Sequence, residues 1–185
     1  MAAITTGEIL FRYTVKTGSA GNTTASTAAG SLGTYASTSL WAGGGTNDLF
    51  DDITGAENAA ATTDYRCIYI HNSNSANALQ NAVVYLSAEV AGGASIAIAV
   101  DTTAASAVGA ASAQALTAAT ETAPGGSVTG LSYSSPTTAG AGLALGNIPA
   151  GSGRAIWIRR SITANTPALS NDGVTIAVSG DTGSL

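Results

Sequence analysis

Alternation of apolar and polar side chains predicts a series of short β-strands separated by small, polar turns. The clearest strand is Tyr65–Asn72, where almost every position is aromatic or β-branched. One face of this strand carries Tyr65, Cys67, Tyr69 and His71. The other face carries Arg66, Ile68 and Ile70. Because neither face is simply polar, we expect a central strand that is covered on both sides.

Further strands are predicted where alternating runs lie between turn signals. They are Glu8–Lys16, Ser31–Trp41, Asn81–Glu89, Ser95–Asp101, Ala113–Thr117, Ser127–Tyr133, Arg154–Ile162 and Gly173–Ser179, with a short apolar run at Leu143–Ile148. The Gly-Gly turn at Val90–Ala94 separates two of these strands, and the strand–turn–strand order suggests an antiparallel hairpin.

One short helix is expected between these strands. Thr54 and Glu57 have the spacing of a capping box, and alanines follow. We therefore expect one or two helical turns over residues 55–61. Many short strands with almost no helix predict an all-β fold, an antiparallel β-sandwich of jelly-roll or immunoglobulin-like topology.

The N-terminal segment, residues 1–47, is predicted to hold a strand and an extended, arm-like region. Residues Thr17–Gly30 are small and polar and offer nothing with which to build a core. The segment either reaches away to engage a neighbour or is an edge strand with a loop. Residues 48–185 are expected to form the sandwich body, with one domain overall.

The segment Asp48–Asn72, DLFDDITGAENAAATTDYRCIYIHN, resembles structural proteins of tailed-phage virions, as does Ser31-Leu32-Gly33 followed by Ser37. Ala61-Thr62 departs from that family pattern, in which a Gly is expected in the turn before Tyr65. The later segments that fit the same pattern are Glu121–Pro124, Leu145–Ile148, Ala155–Arg160 and Asn171–Gly173.

This resemblance implies a non-enzymatic particle component. The first expectation is a capsid decoration (cement) protein that bridges and stabilises major capsid subunits on the virion exterior, after synthesis in the bacterial host cytoplasm. Its implied partners are the major capsid protein and copies of itself, as a trimer or dimer. A neck, tail or fibre component is the alternative.

Four apolar residues are the candidates for partner contact or arm docking: Phe11, Tyr13, Leu49 and Phe50. A carbohydrate-binding sandwich is a third possibility, with stacking on Trp41, Tyr35 or Trp157, although core packing is the simpler interpretation of Trp157. No catalytic, cofactor-binding or metal-binding residues are predicted.

Composition narrows the function classes. The net charge is −5, the pI is about 4.5 and charged residues make up 9% of the chain, against roughly 25% in an average soluble domain. Nucleic-acid binding needs basic clusters, so this balance disfavours it. The longest apolar run, Ile96–Val100, is too short to span a bilayer, and MAAITTGEIL does not have the pattern of a secretory signal.

Several residues of types that are often catalytic or metal-binding are expected to have structural roles in this sequence. Cys67 lies mid-strand and is expected to be an inert buried thiol. The single histidine, His71, is interpreted as a strand-end residue, and no catalytic triad can be assembled around it. Arg159-Arg160 is expected to face solvent or an acidic neighbour. The four nearby acids are interpreted as solvated or capping residues rather than calcium ligands: Asp48, Asp51, Asp52 and Asp64.

Overall fold

The fold is described from a computed structural model that covers residues 3–18, 23–111 and 114–184. The strands are β1 (Ile9–Val15), β2 (Gly33–Leu40), β3 (Thr63–Asn72), β4 (Asn77–Glu89), β5 (Ser95–Val100), β6 (Ser106–Ala107), β7 (Gln114–Thr117), β8 (Leu143–Ile148), β9 (Ser152–Ser161) and β10 (Val174–Ser184). The helices are α1 (Gly55–Ala60) and α2 (Gly126–Thr129), with short 3₁₀ turns at Thr6–Glu8 and Ala139–Ala141.

Two antiparallel sheets form a β-sandwich-like, all-β fold, which confirms the predicted fold class. The larger, seven-stranded sheet has the order β5-β9-β3-β1-β2-β7, and β6 also pairs with β9. The smaller sheet has three strands in the order β10-β4-β8. The small sheet therefore covers only part of the large one.

Apolar side chains pack on both faces of the large sheet. The inner core, between the sheets, includes Ile68 and Ile70 of β3 together with Val84, Leu86, Ile98, Ile148, Ile156 and Ile158. The outer core, on the opposite face, includes Cys67, Tyr69, Val128 and Trp157. As predicted, β3 is covered on both sides, since Asp64 to Asn72 are all buried. Each fully buried large aliphatic side chain contributes about 1.5–3 kcal/mol to folding.

The predicted hairpin of β4 and β5 is wrong. Strand β4 pairs with β10 and β8 in the small sheet, whereas β5 pairs with β9 in the large sheet. Leu86 of β4 and Ile98 of β5 both lie in the inner core. The turn between these strands therefore crosses from one sheet to the other, which places the two apolar faces opposite each other rather than side by side.

The strand predicted at Ser127–Tyr133 is also wrong, because the chain forms the single turn α2 there. Gly125 precedes it with a φ of 97°, a conformation that favours glycine. The Val128 side chain is fully buried in the outer core, and the Thr129 hydroxyl donates to the Gly125 carbonyl at 3.3 Å. A buried anchor and a side-chain hydrogen bond thus favour a turn over an extended strand.

Helix α1 has the predicted capping box. Thr54 Oγ1 accepts from the Glu57 N–H at 3.2 Å, and Glu57 Oε2 accepts from the Thr54 N–H at 2.7 Å. The helix ends at Ala61, which adopts the left-handed conformation with a φ of 52°. Glycine is preferred at such a position, so alanine adopts this conformation at a backbone cost.

The strands of the N-terminal segment lie within the large sheet. Strand β1 pairs with β3 on one side and β2 on the other, and β2 also pairs with β7. Both strands therefore have a neighbour on each side, and whether the segment between them reaches away as an arm stays a prediction. Residues 19–22 of the predicted loop lie outside the described residues, as does Ala113 of the predicted strand Ala113–Thr117.

Candidate functional site

A large cleft opens at one end of the sandwich, and we call it the end cleft. Its walls are the loop of residues 41–55, the turn 92–94, the loop 163–173 and the first residues of β10. Its volume is about 1040 Å³, at the upper limit of the range for small-ligand pockets.

The floor of the end cleft is apolar and aromatic. Phe11 and Trp41 meet edge to face, with ring centroids 5.7 Å apart and an angle of 76° between their planes. Ile96 and Ile158 of the inner core lie beneath, and Leu169 in the loop wall remains 41% exposed. Aromatic side chains in such a position offer a large contact area to an apolar partner.

One wall of the cleft, residues 48–51, is fixed to the sheet by side-chain donors from three strands. The Tyr13 hydroxyl donates to the Asp48 carbonyl, and Arg66 Nε donates to the Leu49 carbonyl at 3.1 Å. Arg160 Nη1 donates to the Asp51 carbonyl. These hydrogen bonds satisfy the carbonyls of an irregular segment and fix its course over the sheet.

Two arginines are buried beneath this wall. Arg66 is 3% exposed and pairs with Glu121, while Arg160 is 7% exposed and pairs with Asp64 at 2.7 Å. The Phe50 ring lies 5.8 Å from the Arg66 guanidinium and 4.7 Å from that of Arg160. Ion pairs and cation–π contacts together offset the free-energy cost of removing the two guanidinium groups from water.

Charge on the rim of the end cleft is mainly negative. Asp51, Asp52 and Asp172 are exposed there, with Asp48 half-buried among them. Two of the four carboxylates also hold turns, since Asp48 Oδ2 accepts from the Gly45 N–H at 3.1 Å and Asp172 Oδ2 from the Ala94 N–H at 2.7 Å. The rim therefore favours cationic groups.

The four predicted contact residues converge on this region. Phe11, Leu49 and Phe50 line the end cleft. Tyr13 packs against the same inner core and binds the cleft wall through its hydroxyl. Leu49 is only 6% exposed and anchors the wall from within, whereas the other three are half-buried. That any of them contacts a partner stays a prediction.

Sequence reasoning missed other parts of the end cleft. Loop 163–173 joins it from more than a hundred residues away in the chain, and no local pattern indicates that contact. Trp41 was predicted to end a strand and was considered for stacking on carbohydrate, yet it contacts Phe11 and lines the cleft. The sequence feature that could have indicated this role is the position of Trp41 between a predicted strand and three consecutive glycines, Gly43-Gly44-Gly45.

The predictions for the charged residues have mixed outcomes. Arg160 does face acidic neighbours, but it points inward and is buried rather than solvated. Arg159 lies on the opposite face, with its guanidinium 4.8 Å from the Tyr133 ring centroid. Asp64 was expected to be solvated or to cap a turn, and this is wrong: it is 1% exposed and compensates Arg160.

His71 and Cys67 are buried strand residues. Burial, followed by the nearby Arg12 charge, lowers the pKa of His71 to about 4. Its neutral ring accepts at Nδ1 from Arg12 Nε at 3.0 Å. Cys67 is a buried free thiol, as predicted, and burial raises the pKa of that thiol.

Trp157 lies in the outer core, as predicted. It is fully buried, and its indole N–H donates to Asp101 at 2.8 Å.

Among residues 3–18, 23–111 and 114–184, no group of three or more His, Cys, Asp or Glu side chains is arranged to hold a metal ion. Over the same residues, none of the helices has the length and apolar character needed to cross a membrane.

No protein-family model, curated protein or solved structure matches this chain.

Proposed function

We propose that this protein is a non-enzymatic structural component of a tailed-phage virion, and specifically a capsid decoration protein. In this proposal it binds the exterior of the capsid, where it bridges neighbouring major capsid subunits and copies of itself. Its action is passive: the area buried between neighbours adds to the barrier against shell rupture.

The observation that carries the proposal is the convergence of the family-like motifs. Leu49, Phe50 and Asp51 belong to the acidic turn of the pattern, and Arg66 belongs to its Tyr-Arg pair. Arg160 closes a third motif about a hundred residues later. These residues meet in one network of ion pairs, carbonyl hydrogen bonds and cation–π contacts. These motifs lie far apart in sequence but contact one another in the structure. That contact supports the proposal, because a shared fold would keep the residues of one such network together.

The low charge of the chain also supports a role in a crowded assembly. With 9% charged residues, neighbouring copies repel one another little. Solubility then depends on hydroxyl and amide groups, which tolerate close packing. This argument supports a protein present in many copies.

Quantitative mass spectrometry of purified particles tests the proposal. We expect the protein at a copy number comparable to that of the major capsid protein. Particles from phage lacking the gene should release their genome at a lower temperature, measured with a DNA-binding dye, and supplying the protein should restore stability. A copy number in the range of tail or neck proteins would favour the neck, tail or fibre alternative, and absence from particles would overturn both.

A further inference from the structure

Strand β10 presents an edge that is suited to accept another strand. It pairs with β4 on one side, and none of the described residues pairs with its other side. Its first six residues, Val174 to Ser179, contain no charge and no proline, and three are β-branched and apolar. Charged side chains and prolines usually protect natural edge strands from pairing with another chain, and this segment has neither. The pairing of β10 with β4 has two register shifts, one between Thr175 and Ile176 and one between Ser179 and Asp181. The four residues between these shifts pair regularly with β4.

The far end of β10 is partly occupied by the same chain. The Ile4 N–H donates to Thr182 Oγ1 at 3.0 Å. The accessible part of the edge is therefore the first half of the strand.

This accessible half borders the end cleft. Val174, Thr175 and Ile176 line the cleft together with Phe11 and Trp41. Val174 and Ile176 are only partly buried, although they pack against the inner core. A strand added along β10 would point every second side chain toward the aromatic floor, as in peptide recognition by strand addition.

Charge identifies the kind of strand that fits. The rim carries four carboxylates, and the one cation lining the cleft within the described residues, Arg160, is buried in its own ion pairs. An occupant with lysine or arginine side chains would complement the rim. A second copy of this chain offers few such side chains, since it has only six Lys and Arg residues in all.

We infer that the end cleft and the free edge of β10 form a docking groove for an extended segment of another protein, in which apolar residues alternate with lysine or arginine. The backbone of that segment pairs with β10, its apolar side chains cover Phe11 and Trp41, and its cations meet the acidic rim. This inference goes beyond the proposed function, because strand docking does not depend on the particle to which the protein belongs.

A selection from a library of short random peptides, displayed against the full-length protein, tests the inference without assuming a partner. We expect enriched sequences to alternate apolar and basic residues, and their binding to weaken as salt is raised. Hydrogen exchange with an enriched peptide bound should show new protection at Val174–Ser179 and none at the opposite edge, Leu143–Ile148.

Two variants with matched controls locate the binding. Trp41→Ala should weaken peptide binding more than about tenfold, whereas Tyr85→Ala, on the outer face of the small sheet, should leave it unchanged. Asp52→Lys should weaken binding about threefold to tenfold at low salt. Asp181→Lys makes the same change in net charge away from the cleft and should leave binding unchanged. Because Asp52 is exposed, its variant tests the inference even if Trp41→Ala fails to fold.

The inference is overturned by a selection that enriches nothing, by acidic or uncharged consensus peptides, or by protection elsewhere than on β10. Concentration-dependent dimerisation that is lost on Ile176→Lys would assign the edge to a second copy instead, and would also overturn it.

Discussion

The buried pair of Arg160 and Asp64 gives the sharpest stability prediction. Replacing Arg160 with Met keeps most of the side-chain volume but leaves Asp64, 1% exposed, without its compensating charge. Removing one partner of a buried ion pair typically costs about 3–5 kcal/mol. An ordinary domain is stable by only about 5–15 kcal/mol, so that loss is about a fifth of the total or more.

Arg160 makes further contacts, among them the hydrogen bond that its Nη1 donates to the Asp51 carbonyl. The Asp51 carboxylate is 67% exposed, so its ion pair contributes at most about 1 kcal/mol. The Phe50 contact is worth about 0.5–2 kcal/mol, and these contributions overlap with the main one. We therefore expect Arg160→Met to lower the free energy of unfolding by about 3–5 kcal/mol.

Arg159→Met is the matched control. It removes the same chemical group from the next position of the same strand, where the guanidinium packs on Tyr133, and it should cost about 1 kcal/mol or less. Urea unfolding followed by circular dichroism measures both variants. If the two lose equal stability, the buried pair does not organise the cleft wall and the reasoning fails.

Three further predictions test local features. Ala61→Gly should raise the free energy of unfolding by about 0.5–1 kcal/mol, because Ala61 is left-handed; a loss of stability in thermal unfolding would contradict this. The His71 ring should titrate near pH 4 by NMR. Because its pKa is lower in the folded state, stability should fall as pH drops from about 6.5 to 4, and His71→Asn should remove that contribution. Cys67 should react with a thiol reagent only as the protein unfolds, so rapid labelling of the native protein would refute its burial.

Local signals predicted the elements of this fold better than their arrangement. The capping box of α1 and the aromatic, β-branched run of β3 depend on neighbours a few residues away, and both predictions were confirmed. The β4–β5 hairpin was wrong because assignment of a strand to a sheet depends on distant partners. Strand β10, more than eighty residues from β4 in sequence, takes the position beside it.

The candidate site was only partly predictable for the same reason. Phe11, Leu49 and Phe50 stood out as apolar residues and do line one cleft. The inward orientation of Arg160 depends on Asp64 and Asp51, which are 96 and 109 residues away in the chain. No periodicity within β9 indicates that a cation on the core face will find an acid there. The opposite wall, around Leu169, likewise joins the cleft only through the tertiary fold.

Immunogold labelling of intact particles with antibody against this chain tests the proposed function most directly. We predict gold distributed over the whole capsid surface, with no enrichment at the neck or tail. Gold confined to the neck or tail would contradict decoration and assign the protein to that part of the virion. Unlabelled particles that also lack the protein by mass spectrometry would contradict a virion role altogether.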